Sequence, residues 1–194
     1  MSMRKIYLFM MVSLDGYFEG PNHDLSWHNV DDEFNRFALE QLKDADLFLY
    51  GRRMYQLMES FWPKAEEDTS MSKENLEIAR LINNTDKIVF SKTLKKVSES
   101  KNWKNVRLIH DFDPKEITRL KKQSGKGIWV GGSDLAVSFA KAGLIDEFRL
   151  MVNPVFVGAG RTLLGGYGDR LKLRLTGTRS FKSGNVLLTY VPQK

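Results

Sequence analysis

The chain has no cysteine among its 194 residues. Disulfides and thiolate metal sites are therefore excluded, and the composition fits a cytoplasmic protein. No apolar run reaches the roughly 18 residues a membrane span needs. The segment MSMRKIYLFMMVSLDG has the basic start and apolar run of a signal peptide. Its run is short, lacks a small-residue cleavage site and meets Asp15 at once, so a buried strand is the expectation. Also absent are a G-x-G-x-x-G after the first strand, a G-x-x-x-x-G-K-[ST] loop and a nucleophile elbow. The three histidines, His23, His28 and His110, lack zinc-like spacing, so no metal is expected. With no linker-like or repeated tract, residues 1–194 read as one domain.

What is present is a soluble, globular composition, 42% hydrophobic and 28% charged, with a net charge of +6. That charge suits nucleic acid, a phosphorylated small molecule or plain solvation. Acidic and apolar residues interrupt the basic clusters at Lys92–Lys96, Lys101–Arg107 and Lys115–Lys126, which disfavours nucleic acid.

Apolar patterning predicts strands at Ile6–Val12, Leu47–Tyr50, Lys87–Ser91, Val106–Ile109 and Ile128–Val130. Helical spacing covers Asp32–Ala45, Arg52–Phe61, Lys73–Asn83, a segment capped by Asp113 with Pro114 and Glu116, and Ser133–Lys141 closed by Gly143. Phe148, Leu150 and Val152 then alternate with charged neighbours, and strands near Lys172–Phe181 and Val186–Val191 form a hairpin through Lys182–Asn185. Strands alternating with helices, then a hairpin, imply an α/β domain: a mixed, mostly parallel sheet, helices on both faces, and an antiparallel C-terminal edge.

Ligands of such sheets lie at the carboxyl ends of the strands. One end is Val130-Gly131-Gly132-Ser133, two glycines opening into a helix whose free N–H groups and dipole favour an anion. The alternative is a plain turn with Ser133 as helix cap. A second end, Gly51-Arg52-Arg53-Met54-Tyr55, offers two guanidiniums suited to phosphate, or two solvated arginines. A third, Val89-Phe90-Ser91-Lys92-Thr93, offers a hydroxyl and an ammonium. Together they suggest a dinucleotide laid across the sheet.

In that order and spacing, these segments resemble the dihydrofolate reductase-like family, especially the reductase domain of riboflavin biosynthesis and its stand-alone relatives. The resemblance also rests on Ser13-Leu14-Asp15-Gly16, Leu144-Ile145-Asp146-Glu147-Phe148 and Asn153-Pro154-Val155-Phe156-Val157-Gly158-Ala159-Gly160. It implies NADPH as cofactor. Gly51, Arg52, Arg53, Ser91 and Lys92 take the adenosine side with its 2′-phosphate, and Gly131, Gly132, Ser133 and Leu135 take the pyrophosphate. Ser13, Asp15, Phe156 and Gly158 fall on the substrate side.

Asp32 follows Trp27 at the spacing of the family's substrate carboxylate, without the intervening proline, and is otherwise part of an acidic helix start. Asp32 and Asp15 are the candidate proton donors. Val130 stands where the riboflavin reductases carry a Glu that contacts the sugar-phosphate substrate, which counts against that substrate. The expected activity is hydride transfer from NADPH to a C=N or C=O group of a pterin- or aminouracil-like molecule. The alternatives are an NADPH-binding sensor without turnover and a nucleic-acid-binding protein. The resemblance also implies a homodimer, with a small-molecule substrate and no nucleic-acid or membrane partner.

Overall fold

A computed structural model describes residues 3–193. The chain begins with β1 (Ile6–Ser13) and the short β2 (Tyr17–Glu19), followed by α1 (Asp32–Lys43) and β3 (Ala45–Gly51). Next come α2 (Arg52–Ala65), α3 (Lys73–Asn84), β4 (Asp86–Phe90), β5 (Val106–Ile109) and α4 (Pro114–Lys122). The last part runs through β6 (Gly127–Gly131), α5 (Ser133–Lys141), β7 (Glu147–Asn153), β8 (Arg161–Thr162), β9 (Leu173–Ser180) and β10 (Val186–Pro192).

Eight strands form one sheet in the order β5-β4-β3-β6-β1-β7-β10-β9. Every neighbouring pair from β5 to β7 is parallel, and β10 runs antiparallel to both β7 and β9. β1 lies between β6 and β7, with Leu8 opposite both Val130 and Phe148. Its apolar run is continuous because both faces are covered. Ile6 and Leu8 join the cluster under α4 and α5, built with Ile117, Leu135 and Phe139. Tyr7 joins the opposite cluster under α1, α2 and α3, with Leu42, Met58, Ile78 and Ile82. A third cluster, Phe34, Phe37, Met151, Phe181 and Leu187, seats α1 on the antiparallel part of the sheet. Burying each such side chain stabilises the fold by about 1.5–3 kcal/mol.

The helix boundaries follow local chemistry. Asp31 caps α1 by accepting from Phe34 N (2.7 Å), Ser72 caps α3 through Asn75 N (3.2 Å), and Asp113 caps α4 through Lys115 N (2.8 Å). The reciprocal bond expected from Glu116 does not form. Gly143, at φ 65°, ends α5 as expected, with Gly143 N bonded to Ala140 O and Leu144 N to Phe139 O. α2 runs past the expected end near Phe61, through Pro63, to Ala65. A proline there removes one intrahelical bond. The last turn is nonetheless tied down: Asn83 on α3 donates to Trp62 O (3.1 Å), and Ala65 is buried. Ala45, expected to end α1, instead opens β3. β2 and β8 pair in a separate two-stranded sheet that sequence patterning missed, being three and two residues long. No helix among the described residues is long and apolar enough to cross a membrane.

Candidate functional site

A cleft of about 950 Å³ opens at the carboxyl ends of β3, β4 and β6 and continues under α1, α2 and α3. Gly51, Arg52, Arg53, Ser91, Lys92, Gly132, Ser133 and Leu135 all line it. These residues come from three separate loops, and the parallel order β4-β3-β6 brings them to one edge.

Two helices begin on this cleft, α2 and α5, and both have a glycine N-cap with no side-chain cap bond. The other three helices close their first turns with their own Asp or Ser side chains. The N–H groups at the starts of α2 and α5 are thus left for water or an anion, with the positive dipole end behind them. The glycine pair divides its work. A Cβ on Gly131 would lie 3.0 Å from the buried Tyr50 ring, so that glycine serves packing and sits behind the cleft wall. Gly132 has φ 96° and ψ 131°, a conformation that side chains rarely adopt. Gly132, rather than Ser133, is the N-cap of α5: Ser133 is buried as its first helical residue and makes no capping bond.

At the β3–β4 side of the cleft, Ser91 shapes the turn. Its Oγ accepts from Thr93 N (3.3 Å) and Leu94 N (2.9 Å). Arg52 donates to Thr93 Oγ1 (2.9 Å). Arg53 and Lys92 are exposed and have no side-chain partner among the described residues. Two unpaired cations and one lightly held arginine therefore border the same opening as the uncapped helices.

Across the cleft stands the β2–β8 pair. Arg161 donates to Glu19 Oε1 (3.0 Å), pairs with Asp134 on α5, and lies over the Phe18 ring (5.1 Å). His23 Nδ1 is 3.1 Å from the same Glu19 oxygen. Burial holds the nearby His28 imidazole below its ordinary pKa, and its Nε2 is buried with no hydrogen-bond partner among the described residues. Glu19, His23, His28, Asp134 and Arg161 all line the cleft, and none was singled out for this role from sequence. The pairing of two very short strands brings Glu19 and Arg161 of this group together.

Ser13, Asp15, Asp32, Phe156 and Gly158 do not line the cleft. Asp15 receives hydrogen bonds from Ser13 Oγ (2.5 Å), Val157 N (3.1 Å) and Gly158 N (2.7 Å). The Ser13 hydroxyl and these two amides hold its carboxyl below the ordinary range. Asp15 thus fastens the loop after β7 to the turn after β1. Phe156 is 75% exposed on that loop. Asp32 is exposed at the start of α1, whose cleft-facing polar residues are Asn35 and Gln41. A stripe of Phe34, Ala38 and Leu42 was legible in the sequence, and Asn35 and Gln41 flank it.

Residues 4–187 match the family of the RibD C-terminal domain. The chain belongs to that family. Among curated relatives it is 35% identical over 188 residues to the uncharacterized protein YyaP of Bacillus subtilis (strain 168), covering 96% of this chain and 94% of YyaP. Its fold is similar to that of a putative riboflavin biosynthesis protein from Shewanella sp. PV-4, with a TM-score of 0.73 and 22% identity over 98% of this chain and 99% of that one. It is also similar to dihydrofolate reductase from Enterococcus faecalis, solved with NADP(H), with a TM-score of 0.63 and 14% identity over 100% and 99% of the two chains. This RibD C-terminal domain relative therefore has the dihydrofolate reductase-like fold: a mostly parallel sheet, helices on both faces and an antiparallel hairpin at the end.

Proposed function

We propose that the protein is an NADPH-dependent reductase acting on a small unsaturated heterocycle. The observation that carries this reading is the shared cleft edge. Two uncapped, glycine-started helices open there beside Arg52, Arg53 and Lys92. A dinucleotide with one extra phosphate is the ligand whose charges suit that edge. The N–H groups at the start of α5 would hold the pyrophosphate, and Arg53, Lys92 and Arg52 the 2′-phosphate. When bound, NADPH supplies a hydride. The family membership and the dihydrofolate reductase-like fold support the same reading.

The chain's own contributions are orientation, exclusion of water and a proton. Glu19 and His23 are joined at 3.1 Å on the cleft wall, with the histidine side chain 61% exposed. That pair can pass a proton from solvent to a substrate nitrogen or oxygen. Asp15 is a poorer source, because three hydrogen bonds keep it ionised, and Asp32 does not face the cleft.

The test is consumption of NADPH, followed by nicotinamide absorbance, across a panel of oxidised pterins, aminouracils and related rings. Turnover of one of them, slowed by Glu19→Gln, is the expected outcome. Tight NADPH binding without turnover of any of them would favour a non-catalytic sensor.

A further inference from the structure

The start of α5 carries a carboxylate where the reductase reading puts a pyrophosphate. Ser133 is the first residue of that helix and Asp134 the second, so the Asp134 N–H is among its free first-turn donors. The side chain of the same residue brings a negative charge to the turn. Glu19, across the cleft and buried, brings another. Left uncompensated, these charges would repel the anion that the N–H groups attract.

Arg161 on β8 compensates them. Its Nη1 donates to Glu19 Oε1 (3.0 Å), its Nη2 donates to Asp134 Oδ1, and its guanidinium lies over the Phe18 ring at 5.1 Å. The group is thus held on three sides. A guanidinium has five N–H donors in a rigid fork, and only two of these are used among the described residues. Three donors therefore remain beside the start of α5, on a side chain that lines the cleft. The other lysine and arginines of the lining, Arg52, Arg53 and Lys92, follow β3 and β4, and none bonds to α5 among the described residues.

Resting on the reductase reading, we propose that Arg161 is a cofactor-binding residue: its guanidinium neutralises Asp134 and Glu19 and donates to the pyrophosphate seated on the first turn of α5. The pyrophosphate is common to NADPH and NADH. Arg161 therefore contributes affinity without distinguishing the two, unlike Arg52 and Arg53. It also ties the cofactor to the Glu19–His23 pair, because one guanidinium touches both the α5 turn and Glu19.

The competing role is a plain latch, in which Arg161 only fastens β8 to α5. The two roles differ in what Asp134 does. In a latch, Asp134 is half of the fastening, and its loss loosens the site. In the proposed role it is a repulsive charge, and its loss frees a further donor for the ligand. The Asp134 side chain is 70% exposed, so neutralising it strands no buried group, whereas removing Arg161 leaves Glu19 buried beside His23 alone.

The experiment is fluorescence titration of wild-type and variant proteins with NADPH and NADH. A calorimetric titration with 2′-AMP, which carries the 2′-phosphate but no pyrophosphate, runs beside it. Arg161→Met is expected to weaken both dinucleotides by the same factor, about ten- to hundredfold, and to leave 2′-AMP unchanged. Unchanged 2′-AMP binding also reports that this variant is folded. Asp134→Asn is expected to bind both dinucleotides no more weakly than the wild type, and to recover part of the loss when combined with Arg161→Met. If Arg161→Met does not fold, Asp134→Asn alone decides between the two roles. The proposal is overturned if folded Arg161→Met binds both dinucleotides as the wild type does, if it weakens only NADPH, or if Asp134→Asn weakens both. Failure of the wild-type protein to bind either dinucleotide would instead remove the underlying reductase reading.

Discussion

Replacing Gly132 with alanine separates a cofactor cradle from a mere turn. Gly132 sits at φ 96° and ψ 131°, and a Cβ there would lie 3.2 Å from Met54 Cβ. Holding alanine in that conformation costs about 1–3 kcal/mol. A loss of ~2 kcal/mol lowers Tm by roughly 4–8 °C for a chain of this size. Relief comes by rotating the turn, which swings the Ser133 and Asp134 N–H groups away from the cleft. Loss of one charge-assisted hydrogen bond, about 1.5–3 kcal/mol, corresponds to a ten- to hundredfold fall in NADPH affinity. Gly184 is the control. It has φ 89°, and its Cβ would lie 3.2 Å from Pro154 Cγ, on a hairpin that does not line the cleft. Both alanine variants should lose similar thermal stability in a melting scan, but only Gly132→Ala should lose NADPH in a fluorescence titration. Equal NADPH affinity in the two variants would refute the cradle.

Arg52→Ala combined with Arg53→Ala should weaken NADPH by about thirtyfold or more, with NADH changed by no more than about threefold. Equal losses measured by parallel titrations would remove the 2′-phosphate assignment. Asp15→Asn should speed hydrogen exchange at the Val157 and Gly158 amides and leave NADPH affinity intact. In the wild-type protein the stabilisation from Asp15 should hold above the ordinary carboxylate pKa and fade as pH falls through its lower folded value. Lys87 is 1% exposed, donates to the carbonyls of Asn83 (2.9 Å), Thr85 (2.6 Å) and Lys104 (3.1 Å), and is lowered by burial from 10.5 to about 7. Between those two values the unfolded chain carries a proton that the folded chain lacks, so stability rises with pH. Melting scans from about pH 7 to 10 should show that rise in the wild type and its loss in Lys87→Met.

The parallel strands and their helices were readable from sequence because each carries a strong period or an unbroken apolar run. β1 is legible since Ile6, Tyr7 and Leu8 are buried from opposite sides. The glycine- and cation-lined edge of the cleft was readable for a related reason: glycines and cations follow strand ends, where the topology exposes them. The far wall was not. Glu19 and Arg161 are 142 residues apart, and only the β2–β8 pairing joins them. Asp32 drew attention through spacing from Trp27, yet the helix rotation puts Asn35 and Gln41 on the cleft instead. Ser133 read as a cap because serine favours that position, but the positive φ of Gly132 starts the helix one residue earlier.

Titration of the purified wild-type protein with NADPH and NADH, followed by nicotinamide fluorescence, tests the central claim most directly. Saturable binding that favours NADPH by about tenfold or more is the predicted result, reflecting at least one charge-assisted contact to the 2′-phosphate. Binding of neither dinucleotide would contradict the account, leaving the uncapped starts of α2 and α5 without the ligand assigned to them.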